Sequence, residues 1–94
     1  MRYYKGRWDE RRGDEFAAWG GSDRYFEVGA DYWVVRQMEV YDAGVVLQYD
    51  ERHREDRFGG LTDQPFEAGY YPVAPITREE FEGVWASFAP AHRG

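Results

Sequence analysis

The chain has 94 residues and a mass of 11.1 kDa, enough for one compact domain and too few for two, since a domain takes about 50 to 200 residues. Hydrophobic residues at 43% and aromatics at 19% supply a core and argue against intrinsic disorder, while twelve Lys+Arg against eighteen Asp+Glu leave a net charge of −6. That charge repels phosphate backbones and anionic lipid, and the absence of Cys excludes disulfides, thiolate metal ligands and cysteine nucleophiles.

Residues 1–12 are net basic, and residues 13–50 hold most of the acidic excess. No apolar leader segment opens the chain and no stretch approaches the roughly 18 apolar residues of a membrane span. The expectation is a cytoplasmic domain with a basic partner, without nucleic acid or membrane.

In residues 2–8, Tyr3, Lys5 and Arg7 alternate with Arg2, Tyr4, Gly6 and Trp8, which predicts an edge strand with Tyr4 and Trp8 facing inward. Residues 9–23 hold three glycines among charges and read as a loop pinned by Phe16 and Trp19. Residues 24–28 and 32–41 are rich in aromatic and β-branched side chains and are separated by Gly29-Ala30-Asp31, a hairpin signal. Tyr41 is followed by Asp42-Ala43-Gly44 and then by residues 45–50, so a loop with glycine in its last, left-handed place closes a second hairpin. Residues 24–50 thus form a three-strand meander.

Pairing Tyr41 with Val45 sets Val40 opposite Val46, Met38 opposite Gln48 and Arg36 opposite Asp50 on one face. Trp33, Val35, Gln37, Glu39, Tyr41, Val45, Leu47 and Tyr49 fall on the other. Both faces are partly apolar, and one helix covers only one of them. Residues 51–76, a charged run followed by a Gly- and Pro-rich stretch with Phe58, Leu61, Phe66, Tyr70, Tyr71 and Val73, form a long loop that wraps the second. Thr77-Arg78-Glu79-Glu80 has the capping-box pattern, and Phe81, Val84, Trp85 and Phe88 follow at helical spacing. The helix spans 77–88, stops before Pro90 and leaves a frayed tail at 89–94. The fold class is α+β: an antiparallel sheet of about four strands with one C-terminal amphipathic helix on a face. Loss of Trp85 costs about 3 to 5 kcal/mol if that residue is fully buried.

Chemistry-bearing groups are few. His53 lies among Asp50 and Asp56 in a solvated charge run, which predicts no metal site, and His92 falls in the tail. Arg36, mid-strand among apolar neighbours, needs a carboxylate, and the register offers Asp50; the functional alternative makes it an anion clamp. Glu27, Glu39 and Asp31 are carboxylates within the meander that could perform acid–base work if they converged, and alternation puts Glu39 at a face edge. Ser22 and Ser87 lack a nucleophile elbow, and the Gly-Gly pairs lack a phosphate-loop frame. Tyr3, Tyr4, Trp8, Trp19, Tyr70 and Tyr71 stand outside the best core positions and suit an interface or ligand surface.

From Phe26-Glu27-Val28 through Trp33-Val34-Val35-Arg36-Gln37-Met38-Glu39-Val40-Tyr41, then Gly44, Tyr49-Asp50, Gly59-Gly60-Leu61 and Ile76-Thr77-Arg78-Glu79-Glu80-Phe81-Glu82-Gly83-Val84-Trp85, the chain resembles a family of small bacterial domains of unknown function. The resemblance implies a single α+β domain, a structural role for Arg36, Glu39 and Trp85, and no established activity. Residues 1–23 fall outside it.

The binding candidates are Trp19, Glu27, Arg36, Glu39, Tyr70 and Tyr71, with no catalytic residue and no cofactor. The favoured function is a non-enzymatic, acidic protein-binding module that occludes a basic partner, as immunity and anti-toxin proteins do. The alternative is a small-molecule binder or minimal acid–base enzyme serving as a biosynthetic accessory, and a homodimer through a sheet edge or face is a further arrangement.

Overall fold

Two consecutive hairpin loops of one design set the centre of the fold. In the computed structural model, which describes residues 1–67 and 69–88, β2 (Ser22–Val28), β3 (Val34–Tyr41) and β4 (Val46–Tyr49) form the expected antiparallel meander. At the second loop Tyr41 N donates to Val45 O, Gly44 N donates to Tyr41 O, and Gly44 takes a φ of +91°. The first loop repeats this pattern: Gly29 N donates to Trp33 O, Tyr32 N donates to Gly29 O, and Tyr32 takes a φ of +68°. The left-handed place there belongs to a tyrosine, not to Gly29, and Tyr32 and Trp33 stand in the turn instead of starting the strand.

The β3–β4 register is the expected one, with Val40 opposite Val46 and Met38 opposite Gln48, but pairing ends at Gln37–Tyr49. Arg36 therefore does not meet Asp50, which bridges to His53 instead. On its other side β3 sets Arg36 opposite Glu27 and Val34 opposite Val28, so Val35 is an extra residue at a bulge. The bulge sends Val34 to the face opposite Arg36.

The sheet has five strands in the order β4-β3-β2-β1-β7, where β1 is Arg2–Trp8 and β7 is Val73–Ile76. The N-terminal strand has the expected bounds but is not an edge, because β7 pairs along its outer side. Pro75 made residues 73–76 look like loop; an edge strand accommodates it because one side of its ladder makes no pairs. Residues 51–76 also carry a short hairpin, β5 (Glu55–Asp56) with β6 (Gly59–Gly60).

One face of the sheet is covered by α1 (Arg78–Ser87), whose start is capped by Thr77 Oγ1 accepting from Glu80 N at 3.1 Å. Phe81 is fully buried against Tyr3, Tyr25, Met38 and Val46, with Val84 and Trp85 half-buried beside it. Phe88 does not join them: it caps the helix in extended backbone, turned off the helical face, and is 40% exposed. The other face is wrapped by loop segments, as the two-sided apolar pattern requires. Phe16, Trp19, Phe58 and Leu61 cover Tyr41, Leu47 and Tyr49, while Phe66 and Tyr71 cover Tyr4, Phe26, Val28 and Val34. Residues 89–94, His92 among them, lie outside the described residues.

Candidate functional site

The sequence candidates separate into three places. The first is on the helix face, where the β2–β3 pairing puts Arg36 against Glu27. Arg36 Nε donates to Glu27 Oε1 at 2.7 Å and Nη2 donates to Oε2 at 3.2 Å, while Nη1 lies 2.8 Å from Glu82 Oε1 on α1. Tyr3 OH donates to Glu27 Oε2 at 3.0 Å. The guanidinium also lies over the rings of Phe81 and Trp85, 4.9 and 5.1 Å from their centroids. Burial favours the neutral acid at Glu27, but the hydrogen bonds from Arg36 and Tyr3 outweigh it and hold the carboxyl below its ordinary range. Glu27 and Arg36 line a cleft of about 470 Å³ with Val35, Asp50, Glu51 and Arg52. Glu27 is therefore a fixed, ionised acceptor, poorly suited to donate a proton, and Arg36 is already engaged by two carboxylates.

The second place is under the loop on the opposite face. Glu39 is buried there rather than at a face edge, because the loop reaches over it. It accepts from Gln37 Nε2 at 3.0 Å and from Tyr41 OH, and Arg24 Nη2 lies 3.8 Å away. Gln37 Oε1 in turn accepts from Thr62 N and Thr62 Oγ1 at 2.9 and 2.7 Å, which ties the loop to the sheet. Burial first, and then the Glu39 charge, push the Tyr41 hydroxyl up to about 12. Trp19 closes this region over Tyr41 and Phe58, stacked on Phe16 at 4.5 Å. It is half-buried core rather than open binding surface. His53 is held the same way: it is stacked on Tyr49, with Nε2 3.0 Å from Asp56 Oδ2, and is not a solvated side chain.

The third place keeps Tyr70 and Tyr71 and adds residues the sequence reading missed. Phe66 N donates to Tyr32 O at 2.7 Å, which fastens the wrapping loop to the β2–β3 turn. Beside this tie lies a cleft of about 490 Å³ whose walls include Arg2, Tyr4, Asp31, Tyr32, Phe66 and Glu67. A second, of about 260 Å³, shares Pro65 and Glu67 with it and adds Gln64, Tyr70 and Tyr71. Tyr70 is 80% exposed, Tyr32 51% and Trp33 42%. Tyr71 instead stacks on Phe66 at 5.2 Å and carries Tyr70 edge-on.

The charged groups of this surface are Arg2 and two acids, Asp31 and Glu67. Asp31 Oδ1 accepts from Trp33 N at 3.2 Å, and the Glu67 carboxylate forms no ion pair among the described residues. Aromatic faces with carboxylates at their margin attract cationic groups. Nothing in the sequence marked Tyr32 for this site, because residue 32 has the look of a strand start and its place in the turn is set by the hydrogen bonds of the folded loop.

Neither the family models, nor the curated proteins, nor the solved structures contain a match to this chain. Among the described residues no helix is long and apolar enough to cross a membrane, and no three His, Asp or Glu side chains are grouped to hold a metal ion.

Proposed function

We propose that this chain is a non-enzymatic binding domain that docks a basic protein partner on the aromatic surface formed by the β2–β3 turn with Gln64, Pro65, Phe66, Glu67, Tyr70 and Tyr71. The observation that carries the reading is the pair of exposed rings at Tyr32 and Tyr70 on two adjoining clefts whose margin holds Asp31 and Glu67. Large rigid rings give contact area at little entropic cost, and the carboxylates, on a chain of net charge −6, favour a basic partner and speed its approach. The buried carboxylates Glu27 and Glu39 are already hydrogen-bonded within the fold, which favours binding over acid–base chemistry. Occlusion of a partner's basic surface is the mode of action this suits.

The test is affinity capture from host lysate at low and at high salt, with the wild-type chain and with Tyr32→Gly and Tyr70→Ser in parallel. The expected result is one stoichiometric basic protein, lost at high salt and weakly retained by both variants. Capture that neither salt nor the two substitutions change would overturn the reading.

A further inference from the structure

The N-terminal strand delivers a cation to this same surface. Arg2 sits on β1 opposite Val28, and its guanidinium carbon lies over the Tyr32 ring, 5.2 Å from the centroid. Arg2, Tyr4, Tyr32 and Phe66 share the larger cleft, with Asp31 and Glu67 as its two acids. The smaller cleft beside it adds no basic residue. A flat guanidinium matches the face of Tyr32 and, at the cleft margin, the carboxylate of Glu67, which is otherwise without an ion pair among the described residues.

We infer that the larger cleft is an arginine pocket: it takes the guanidinium of an arginine from the basic partner, and Arg2 is an internal occupant that the incoming side chain displaces. The inference rests on the binding surface proposed above and names the chemistry that the surface selects. Tyr32 supports it through the backbone. A bulky residue with φ +68° pays a steric cost that glycine avoids, yet at this place the tyrosine sets its ring under the guanidinium. Such a pocket is self-shielded. The apparent affinity for an external arginine is reduced in proportion to the fraction of time that Arg2 covers the ring.

The probe is N-acetyl-arginine N-methylamide, titrated to millimolar concentration into the full chain and followed through the backbone amides of Tyr32, Phe66 and Glu67 by NMR, with the citrulline and lysine analogues in parallel. The arginine compound is expected to shift these amides and the uncharged citrulline compound to shift them far less. Lysine, a cation without the flat fork, should fall between them. Arg2→Ala should bind the arginine compound more tightly, because the ring is then never covered from within, and Glu67→Gln should bind it more weakly. Both positions are exposed, and the remaining amide spectrum reports whether the fold is intact. Equal shifts from the citrulline compound, or an Arg2→Ala variant that binds no more tightly than wild type, would overturn the pocket. Failure here with salt-sensitive capture intact removes only the arginine assignment. Arginine binding without any captured partner removes the protein-docking reading and leaves the pocket.

Discussion

Tyr32 and Gly44 occupy the same left-handed place in two consecutive hairpin loops, at φ +68° and +91°. Glycine has no Cβ to clash there, whereas a tyrosine is held against its own sterics by the hydrogen bond from Phe66 N to its carbonyl and by the closed turn. Tyr32→Gly should therefore leave the domain as stable or raise its stability by up to about 1 kcal/mol, since the relieved strain is offset in part by glycine's unfolded-state entropy. The same substitution should abolish arginine binding. Thermal unfolding and the titration with N-acetyl-arginine N-methylamide on one sample check both; a variant that loses more than about 1 kcal/mol would show that the ring itself holds the fold together.

The hairpin design, the β3–β4 register and the helix were legible because each is encoded locally. Gly44 marks its own loop, alternation from Met38 to Val40 fixes the faces, and Thr77 caps the helix by a contact three residues away. What escaped was non-local or broke a local rule. The strand at 73–76 is hidden by Pro75 and exists because β1 offers it a partner some 70 residues earlier in the chain. The bulge at Val35 cannot be read from alternation, and it sets Arg36 opposite Glu27, while the β3–β4 ladder ends at Gln37–Tyr49, short of Asp50. Of the candidate site, Tyr70 was legible as a surplus aromatic. Tyr32 was not, because its place in the strand pattern looked ordinary until the turn claimed it.

The ion pair between Arg36 and Glu27 joins β3 to β2 on the face where α1 packs, and its groups are largely buried, with side chains 20% and 8% exposed. Arg36→Met should destabilise the domain by about 3 kcal/mol, because it leaves Glu27 buried with the Tyr3 hydroxyl as its remaining hydrogen-bond donor and only the more distant charge of Arg78. Adding Glu27→Gln should recover part of that loss. A double variant no more stable than Arg36→Met alone would show that the two side chains act independently.

The same pair predicts a direction with pH. The folded-state pKa of Glu27 lies below the unfolded value of about 4.3, so its stabilisation is complete above that pH and is lost as pH falls through the folded value. At the alkaline end Tyr41 reverses the sign, since its neutral form is the one favoured in the fold. Its contribution is complete below the unfolded value of about 10 and disappears as pH rises toward about 12. Chemical denaturation from pH 3 to pH 12 should give a plateau that falls at both ends. Glu27→Gln should make the acid limb shallower, the rest of it belonging to Asp14, Asp42 and Glu82, and Tyr41→Phe should make the alkaline limb shallower, with Tyr3 and Tyr49 carrying the remainder; limbs unchanged by these substitutions would assign the titration to those other groups alone.

The helix is anchored through Phe81 rather than through Trp85. Phe81 is wholly buried between Tyr3 and Trp85, its ring centroid 5.3 Å from that of Tyr3, whereas Trp85 lies half-exposed at the helix margin beneath the Arg36 guanidinium. Phe81→Ala should cost about 3 to 5 kcal/mol, the range for deleting a buried aromatic ring. Trp85→Ala should cost less, because part of its surface is never removed from water and the cavity left behind opens to solvent. Urea unfolding of the two variants ranks them directly. A larger loss for Trp85→Ala would move the weight of the helix contact from the ring packing beneath it to the layer of Trp85, Arg36 and Glu27 beside it.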